Sequence, residues 1–337
     1  MTQDSAADHP VQTDRTVRTG TLPRWDDVEA LTHEVHERYR STSEGTVASY
    51  IPALADADPD LFGVCVAEVD GEIHGVGDVD RPFSLQSVSK AFVWALVCEQ
   101  AGHDQVLDVV GVNNTGHAFD SVMALELHDG HPRNPMANAG AIATTSHVVA
   151  ETPDARWDII HDGLSRFAGR ELEVDDDVYA SESSANQRNM ALALLLETYG
   201  RLEEDPASVV DVYTKQCSLL VTARDLAVMG ATLANGGVNP VTRERVVSGE
   251  VSRDTLAVLA ASGLYERSGE WLFEIGLPAK SGVSGGIVSV APGKAGIGTY
   301  SPPLDDAGNS VRGRRAHALL ARSLGLDVFA SAPHPPS

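Results

Sequence analysis

The chain has 337 residues, of which 42% are apolar and 22% charged, a balance typical of a globular protein that can bury a sizeable core. Its 48 acidic residues outnumber its 25 lysines and arginines and give a formal net charge of -23. Because such a surface repels nucleic acids and anionic membranes, we expect neither as a partner.

The acidic excess leaves two interpretations open. It can be an ordinary solvated surface, or it can be an adaptation to a high-salt cytoplasm, in which acid-rich and lysine-poor surfaces stay soluble. The second interpretation is favoured because lysine is scarce: Lys90, Lys215, Lys280 and Lys294 are the whole set.

Cysteine usage and targeting patterns indicate the compartment. Cys65, Cys98 and Cys217 lie in apolar or amphipathic stretches without C-x-x-C spacing, which is typical of buried thiols in a reducing environment. No signal-peptide pattern and no apolar run of membrane-spanning length is seen. We therefore expect a soluble, cytoplasmic protein.

The first elements in chain order are a tail, a helix and a loop. Residues 1–22 are polar and without periodicity, which predicts a disordered tail. From Pro23, apolar residues recur at helical spacing up to Tyr39 and predict a helix. The breaker-rich residues 45–52 then place Tyr50 in a loop or turn.

Residues 83–98 contain the pair on which the functional interpretation depends. The pattern predicts a short extended piece that ends at Ser87, followed by a buried helix that ends at Gly102. Because residues three apart lie on one helix face, Ser87 and Lys90 would be neighbours in the first turn. A buried lysine whose pKa is lowered by desolvation can take the proton of a serine nucleophile. The alternative is that Ser87 only caps the helix and Lys90 is solvated.

The rest of the chain is predicted to be helical between two regions of strands. A long helix from about Glu182 to Tyr199 would place Glu182 and Asn189 two turns apart on one face. The other predicted elements are a β-hairpin around Asp70-Gly71, a loop and a tightly packed helix within 131–141, a helix over 157–167 that ends at Gly169, a helix from Asp205-Pro206, a helix from a capping box at Thr222, helical structure over 240–263, strands at 263–265, 271–273, 279–290 and 295–300, and a last helix over 310–324. Early and late strands around central helices indicate one α+β folding unit.

Single polar motifs are ambiguous by themselves. Lys280-Ser281-Gly282 could line a pocket opposite Ser87, or it could form an ordinary turn. No histidine has metal-ligand spacing to another histidine or to a cysteine, and glycine motifs for dinucleotides or phosphates are absent from the sequence. We therefore expect no metal and no cofactor.

Several motifs together resemble one family. They stand, in order, as Val47-Ala48-Ser49-Tyr50-Ile51-Pro52, Leu85-Gln86-Ser87-Val88-Ser89-Lys90, Asn134-Pro135-Met136-Ala137-Asn138-Ala139-Gly140-Ala141, Ser181-Glu182 with Arg188-Asn189, Tyr213 before Gln216-Cys217-Ser218, Gly263-Leu264-Tyr265 and Lys280-Ser281-Gly282-Val283. In these motifs, collinear over residues 24–328, the chain resembles the serine-dependent glutaminases. The resemblance implies a fold similar to β-lactamases and transpeptidases: an α+β fold with an antiparallel sheet flanked by helices plus a helical subdomain.

The resemblance also implies a reaction and its residues. L-glutamine would be hydrolysed to L-glutamate and ammonia through a serine acyl-enzyme. The implied catalytic residues are Ser87 as nucleophile, Lys90 as proton acceptor, Tyr265 as proton relay to the departing ammonia and Tyr50 beside the nucleophile. The backbone N–H groups of Ser87 and Val283 would form the oxyanion hole. The implied substrate-binding residues are Gln86, Ser87, Asn138, Glu182, Asn189, Tyr213, Tyr265 and Val283, with Glu182 as the acid for the α-ammonium group.

Organisation and alternatives follow from the same resemblance. It implies one catalytic domain over residues 23–328, with a helical subdomain at roughly 105–240, assembled as a homodimer or homotetramer. Tails at 1–22 and 329–337 are expected from their composition. A β-lactamase or penicillin-binding-type hydrolase is an alternative, although neither an S-D-N element nor an export signal is present. A non-catalytic glutamine sensor is a second alternative, and it would be expected to lack Ser87 or Lys90.

Overall fold

The computed structural model describes residue 22, residues 24–49 and residues 51–331. Most of both predicted tails lies outside the described residues, and so does Tyr50. The α-helices are α1 (Trp25–Tyr39), α2 (Ser89–Ala101), α3 (His103–Val109), α4 (Met123–Glu126), α5 (Asn138–Ser146), α6 (Pro153–Ala168), α7 (Asp176–Ser184), α8 (Gln187–Thr198), α9 (Pro206–Cys217), α10 (Ala223–Ala234), α11 (Gly249–Ser262), α12 (Ser268–Glu274) and α13 (Val311–Leu324). The strands are β1 (Gly63–Glu68), β2 (Ile73–Gly77), β3 (Phe83–Ser84), β4 (Leu220–Val221), β5 (Ala279–Ser281), β6 (Gly286–Ala291) and β7 (Ala295–Tyr300).

Within the described residues, a five-stranded antiparallel sheet joins the two ends of the chain, in the strand order β2-β1-β7-β6-β5. The predicted hairpin is confirmed, with Ala67 opposite Ile73 across the turn. Strand β1 also pairs with β7, with Val66 opposite Ile297, although most of the chain lies between them. Early and late strands are therefore neighbours, and the helical segment is inserted between them.

Helices cover both faces of this sheet. α1 and α13 pack on one face, where Val28 and Val64 are fully buried. α10 crosses the other face along β7, β6 and β1. This approach requires glycine, because a Cβ atom at Gly296 would lie 2.2 Å from Ala227 O and Ala231 N.

The helical region is built around α2, which is buried from Ser89 to Cys98. Helices α5, α6 and α11 pack against it. Strand β3 leads into α2 and pairs with β4, with Phe83 opposite Val221. The segment between β3 and α2 is therefore fixed from both sides, and it is the segment that carries Ser87.

The predicted helix from Glu182 to Tyr199 is wrong. α7 ends at Ser184 and α8 begins at Gln187, because Ala185 leaves the helical conformation with φ -119° and ψ 20°. Glu182 and Asn189 consequently do not share one helix face. The break turns the two side chains towards different hydrogen-bond partners, Gln86 and Asn138 respectively.

Two predicted strands and part of one predicted helix are also wrong. Tyr265–Arg267 is a 3-10 helix, and residues 271–273 lie in α12. Trp271 is buried whereas Phe273 is 91% exposed, and residues two apart point the same way in a strand but nearly opposite ways in a helix. Of the helical structure predicted over 240–263, only Gly249–Ser262 is an α-helix.

The predicted fold class is confirmed in its main feature, an antiparallel sheet flanked by helices with further helices beside it. None of the helices in the described part of the chain is long and apolar enough to cross a bilayer.

Candidate active site

Ser87 lies in a tight turn between β3 and α2. The turn is the 3-10 helix Gln86–Val88, and Gln86 adopts φ 53°, which a residue with a side chain rarely does. Leu85 N donates to Leu219 O at 2.7 Å and fixes the start of the turn. Gly282 passes close by, since a Cβ atom there would lie 3.0 Å from Leu85 O. The α-helix thus begins two residues after Ser87, not at it.

Lys90 is buried in the first turn of α2, and the solvated alternative is therefore wrong. Only 2% of the residue is exposed. Its Nζ donates to Asn138 Oδ1 at 2.6 Å and to Met136 O at 3.4 Å. No carboxylate among the described residues forms an ion pair with it. Burial lowers the pKa of Lys90 to about 8, which leaves a substantial fraction of neutral amine near physiological pH.

Tyr265 is a second buried side chain near Ser87. Its φ of 54° again lies in the left-handed region. The phenol donates to Ser281 O at 3.2 Å. Burial raises the pKa of Tyr265 above its ordinary value, and hydrogen bonds with Ser87 and Ser281 oppose that rise. The hydroxyl is thus a protonated donor within reach of the Ser87 side chain.

Glu182 is the acid of the site. Gln86 Nε2 donates to Glu182 Oε1 and also lies 3.2 Å from Ser84 Oγ. Burial raises the pKa of Glu182 to about 7, while the Gln86 hydrogen bond and the charge of Lys90 oppose the rise. Burial therefore disfavours the charged carboxylate, and a cation beside it would reverse that effect.

Two asparagines extend the chain of contacts from the lysine. Asn138 accepts from Lys90 and donates through Nδ2 to Asn189 Oδ1 at 2.9 Å. Asn138 is the first residue of α5, and Asn189 belongs to the first turn of α8. A hydrogen-bonded line therefore runs from the amine of Lys90 to two neutral amides.

The remaining predicted site residues are Tyr213, Val283 and Tyr50. Tyr213 is buried on α9, and burial raises its pKa well above the ordinary value, with Cys217 and Glu182 as further acidic neighbours. Val283 follows Gly282 and packs in one apolar cluster with Tyr265. Tyr50 lies outside the described residues, so its position beside Ser87 stays a prediction.

A cavity of about 260 Å³ opens next to this constellation. Ser84, Val283, Ala48 and Leu54 are among the residues that line it. The cavity therefore touches Val283, but Ser87 and Lys90 do not line it.

Sequence reasoning missed the Phe119 side chain beside Tyr265 and did not predict that Lys280 contacts the Tyr265 ring. The Phe119 ring lies 4.8 Å from the Tyr265 ring, and Lys90 Nζ is 5.8 Å from the Phe119 centroid. Lys280 Nζ lies 4.3 Å from the centroid of the Tyr265 ring. Phe119 comes from an irregular loop with no periodic signal, so no pattern could have found it. Lys280 was predicted to line a pocket opposite Ser87 or to lie in a turn; it lies in β5, and its contact with Tyr265 joins distant parts of the chain.

Comparisons with known proteins agree on one family. The Glutaminase family model matches residues 45–329. Glutaminase 2 of Yersinia pestis is 53% identical over 318 residues, which is 94% of both chains. The structure of the probable glutaminase ybaS superposes with a TM-score of 0.90 at 43% identity, covering 92% of this chain and 100% of that chain. The glutamate form of Mglu superposes with a TM-score of 0.85 at 40% identity, covering 91% of this chain and 70% of that chain. The chain therefore belongs to the glutaminase family.

Proposed function

We propose that this glutaminase hydrolyses L-glutamine to L-glutamate and ammonia through a covalent acyl intermediate on Ser87. The observation that carries the proposal is the buried pair of Ser87 and Lys90, whose lysine has a lowered pKa and lacks a carboxylate partner among the described residues. The glutamate form of the related Mglu supports the choice of substrate. A neutral amine that can reach the serine hydroxyl is what an amide-cleaving serine enzyme needs, and Lys90 lies three residues after Ser87.

The first half of the reaction forms the acyl-enzyme. Ser87 Oγ bonds to the side-chain carbonyl carbon of glutamine, and its proton passes to Lys90 Nζ. The backbone N–H groups of Ser87 and Val283 stabilise the negative oxygen that develops. The C–N bond then breaks, and Tyr265 relays a proton from the lysine to the departing nitrogen, which leaves as ammonia.

The second half consumes one water molecule. Lys90, again neutral, accepts a proton from the water, whose oxygen bonds to the acyl carbon. The bond between that carbon and Ser87 Oγ breaks, and the serine recovers its proton. L-glutamate is released, and Tyr50 is proposed to act beside the nucleophile in both halves.

The α-ammonium group of the substrate is held by a charged side chain, and its α-carboxylate is held by neutral polar side chains. Glu182 binds the α-ammonium group, which would lower the carboxyl pKa from its raised value in the empty site. Gln86, Asn138, Asn189 and Tyr213 surround the α-carboxylate. Gln86 and Asn138 must give up part of their present hydrogen bonds to do this.

The test combines turnover with detection of the intermediate. Glutamate release from L-glutamine should be abolished in Ser87→Ala, by several orders of magnitude in kcat, because the bond-forming atom is lost. Rapid acid quenching of the wild type with L-glutamine should add one glutamyl group to the peptide that contains Ser87. Release of glutamate by Ser87→Ala above a tenth of the wild-type rate, or hydrolysis of nitrocefin in place of glutamine, would reject the proposal.

We further propose a cytoplasmic enzyme that works as a homodimer or homotetramer with one catalytic domain over residues 23–328. Cys65, Cys98 and Cys217 are all buried free thiols, as expected in a reducing compartment. Light scattering would give the mass of the assembly. Cell fractionation would locate the enzyme, and a chain trimmed to 23–328 should retain full activity.

A further inference from the structure

Lys280 is a buried amine that the reaction described above does not use. It lies in the middle of β5 and has no exposed surface. Its Nζ donates to Ser281 O at 2.6 Å, and no ion pair with a carboxylate is found in the described part of the chain. A buried charged group normally requires a counter-charge or several acceptors. Burial of an amine without a counter-charge costs stability, which suggests that Lys280 has a role other than packing.

The surroundings of Lys280 lead to Tyr265. The amine lies over the face of the phenol ring, 4.3 Å from its centroid. Ser281 O accepts from Lys280 Nζ and also from the Tyr265 hydroxyl. The side chain of Ser281 is in turn tied to Asn309 Oδ1 at 2.6 Å. One carbonyl thus connects the lysine with the hydroxyl that reaches Ser87.

The charge state of Lys280 depends on the same site. Burial lowers the pKa of Lys280 well below its ordinary value, and the charge of Lys90 lowers it further, while Cys217 acts in the opposite direction. Burial also lowers the pKa of Lys90. Two like charges in one buried site repel, so protonation of one amine opposes protonation of the other. When Lys90 takes the serine proton, Lys280 is the neighbouring amine that stays neutral.

We propose that Lys280 is a positioning residue for proton transfer through Tyr265: it supports the phenol ring from its face and holds the Ser281 carbonyl to which the hydroxyl is aligned. The inference rests on the proposed function, in which Tyr265 protonates the departing ammonia. Lys280 itself does not touch the substrate. Its loss therefore affects expulsion of the amine more than binding.

The test replaces Lys280 by Met, which keeps an unbranched apolar stem of similar length and removes the amine. With L-glutamine, Lys280→Met should lose at least about tenfold in kcat, while KM changes by less than about twofold. A positioned proton donor supplies roughly 100-fold or more in rate, and losing its positioning should remove part of that factor. The γ-p-nitrophenyl ester of L-glutamate has a leaving group that departs without a proton. Its hydrolysis should fall by less than about threefold.

Two comparisons separate this role from a structural one. In a Tyr265→Phe background, Lys280→Met should cause almost no further loss, since residues that act through one another are not additive. Lys294→Met is the control, because burial lowers the pKa of Lys294 as it does that of Lys280, but Lys294 is only partly buried and lies in the turn between β6 and β7. This control should leave both reactions unchanged.

The outcomes distinguish this inference from the proposed function. Lys280→Met with wild-type kcat on glutamine, or with equal losses on both substrates that add to those of Tyr265→Phe, would overturn the inference alone. Should Lys280→Met fail to fold, Lys280→Arg replaces the amine by a planar, permanently charged guanidinium and must show the same selective loss, because that group does not reproduce the amine; full activity would overturn the inference. A wild-type chain that releases no glutamate would overturn both.

Discussion

At the scale of single residues, the proposed function depends on two ionisable groups whose burial shifts their pKa in opposite directions. Burial lowers the pKa of Lys90 to about 8 and raises that of Glu182 to about 7. Desolvation is the first cause of both shifts, because it disfavours the charged form of each group. The base is thereby made available, while the acid awaits a cation. Both effects can be measured through the pH dependence of the reaction.

The base predicts how kcat depends on pH. Lys90 must be neutral to accept the serine proton, so activity is lost as the pH falls below its pKa and rises as the pH passes through about 8. Lys90→Arg should lower kcat at least about 100-fold, since a guanidinium is no base in this range. The measurement is a stopped assay of released glutamate at constant ionic strength. Its pH range, 6 to 9, extends about one unit below the pKa of Glu182 and about one unit above that of Lys90. A flat profile, or an active Lys90→Arg, would place the base elsewhere.

The acid predicts how KM depends on pH. Glu182 must be ionised to bind an ammonium group, so KM should rise as the pH falls below about 7. Glu182→Gln should raise KM, because removing one partner of a desolvated charge pair costs about 2–5 kcal/mol, and the pH dependence of KM should disappear with it. N-acetyl-L-glutamine lacks the ammonium group and serves as the control. If the wild type used it as well as glutamine, Glu182 would not bind this group.

At the scale of secondary-structure elements, the sequence predicted those features that depend on neighbouring residues, and it failed to predict those that depend on tertiary contacts. The capping box at Thr222 and the Asp205 cap before Pro206 form as expected, because each depends only on neighbouring residues. The break between α7 and α8 has no such signal. It depends on where Gln86 and Asn138 lie in the folded chain, and those residues are distant in sequence.

In the candidate site, too, features that depend on neighbouring residues could be predicted, and contacts between distant residues could not. Ser87 and Lys90 are close in sequence, so local spacing was enough to predict both at the start of the buried helix, where the structure has them. The contact of Lys280 with Tyr265 could not, because it requires β5 to be brought beside a 3-10 helix of unpredicted type. The left-handed conformation of Tyr265 is likewise imposed by its surroundings.

Packing of α10 on the sheet gives a prediction for stability. Gly296→Ala would place its Cβ atom 2.2 Å from two backbone atoms of α10. The helix must move away from β7, so we expect a loss of roughly 1–3 kcal/mol in the free energy of unfolding, measured by urea denaturation. Gly269→Ala is the matched control, since nothing lies within 4 Å of the added atom and the position is in α12. Equal stability of the two variants would mean that α10 is not packed this closely.

At the scale of the whole molecule, the property to be explained is the net charge of -23. Several exposed acids, among them Glu171, Glu197 and Glu203, have no ion pair in the described part of the chain. Like charges on one compact surface repel one another and destabilise the folded state. The surface charge thus affects the stability of the whole folded protein, separately from the chemistry of the buried site.

Salt should therefore stabilise this protein. The screening length falls from about 30 Å at about 0.01 M salt to about 3 Å at about 1 M, so most of the repulsion between surface acids disappears over that range. L-glutamine carries no net charge, and its capture does not depend on long-range attraction that salt would remove. We expect the Tm and the activity both to rise between low salt and molar KCl. A triple variant with lysine at positions 171, 197 and 203 should show a smaller rise in Tm, with kcat unchanged at high salt. A Tm that stays flat or falls would reject adaptation to a high-salt cytoplasm, and it would leave the glutaminase reaction at the buried site unaffected.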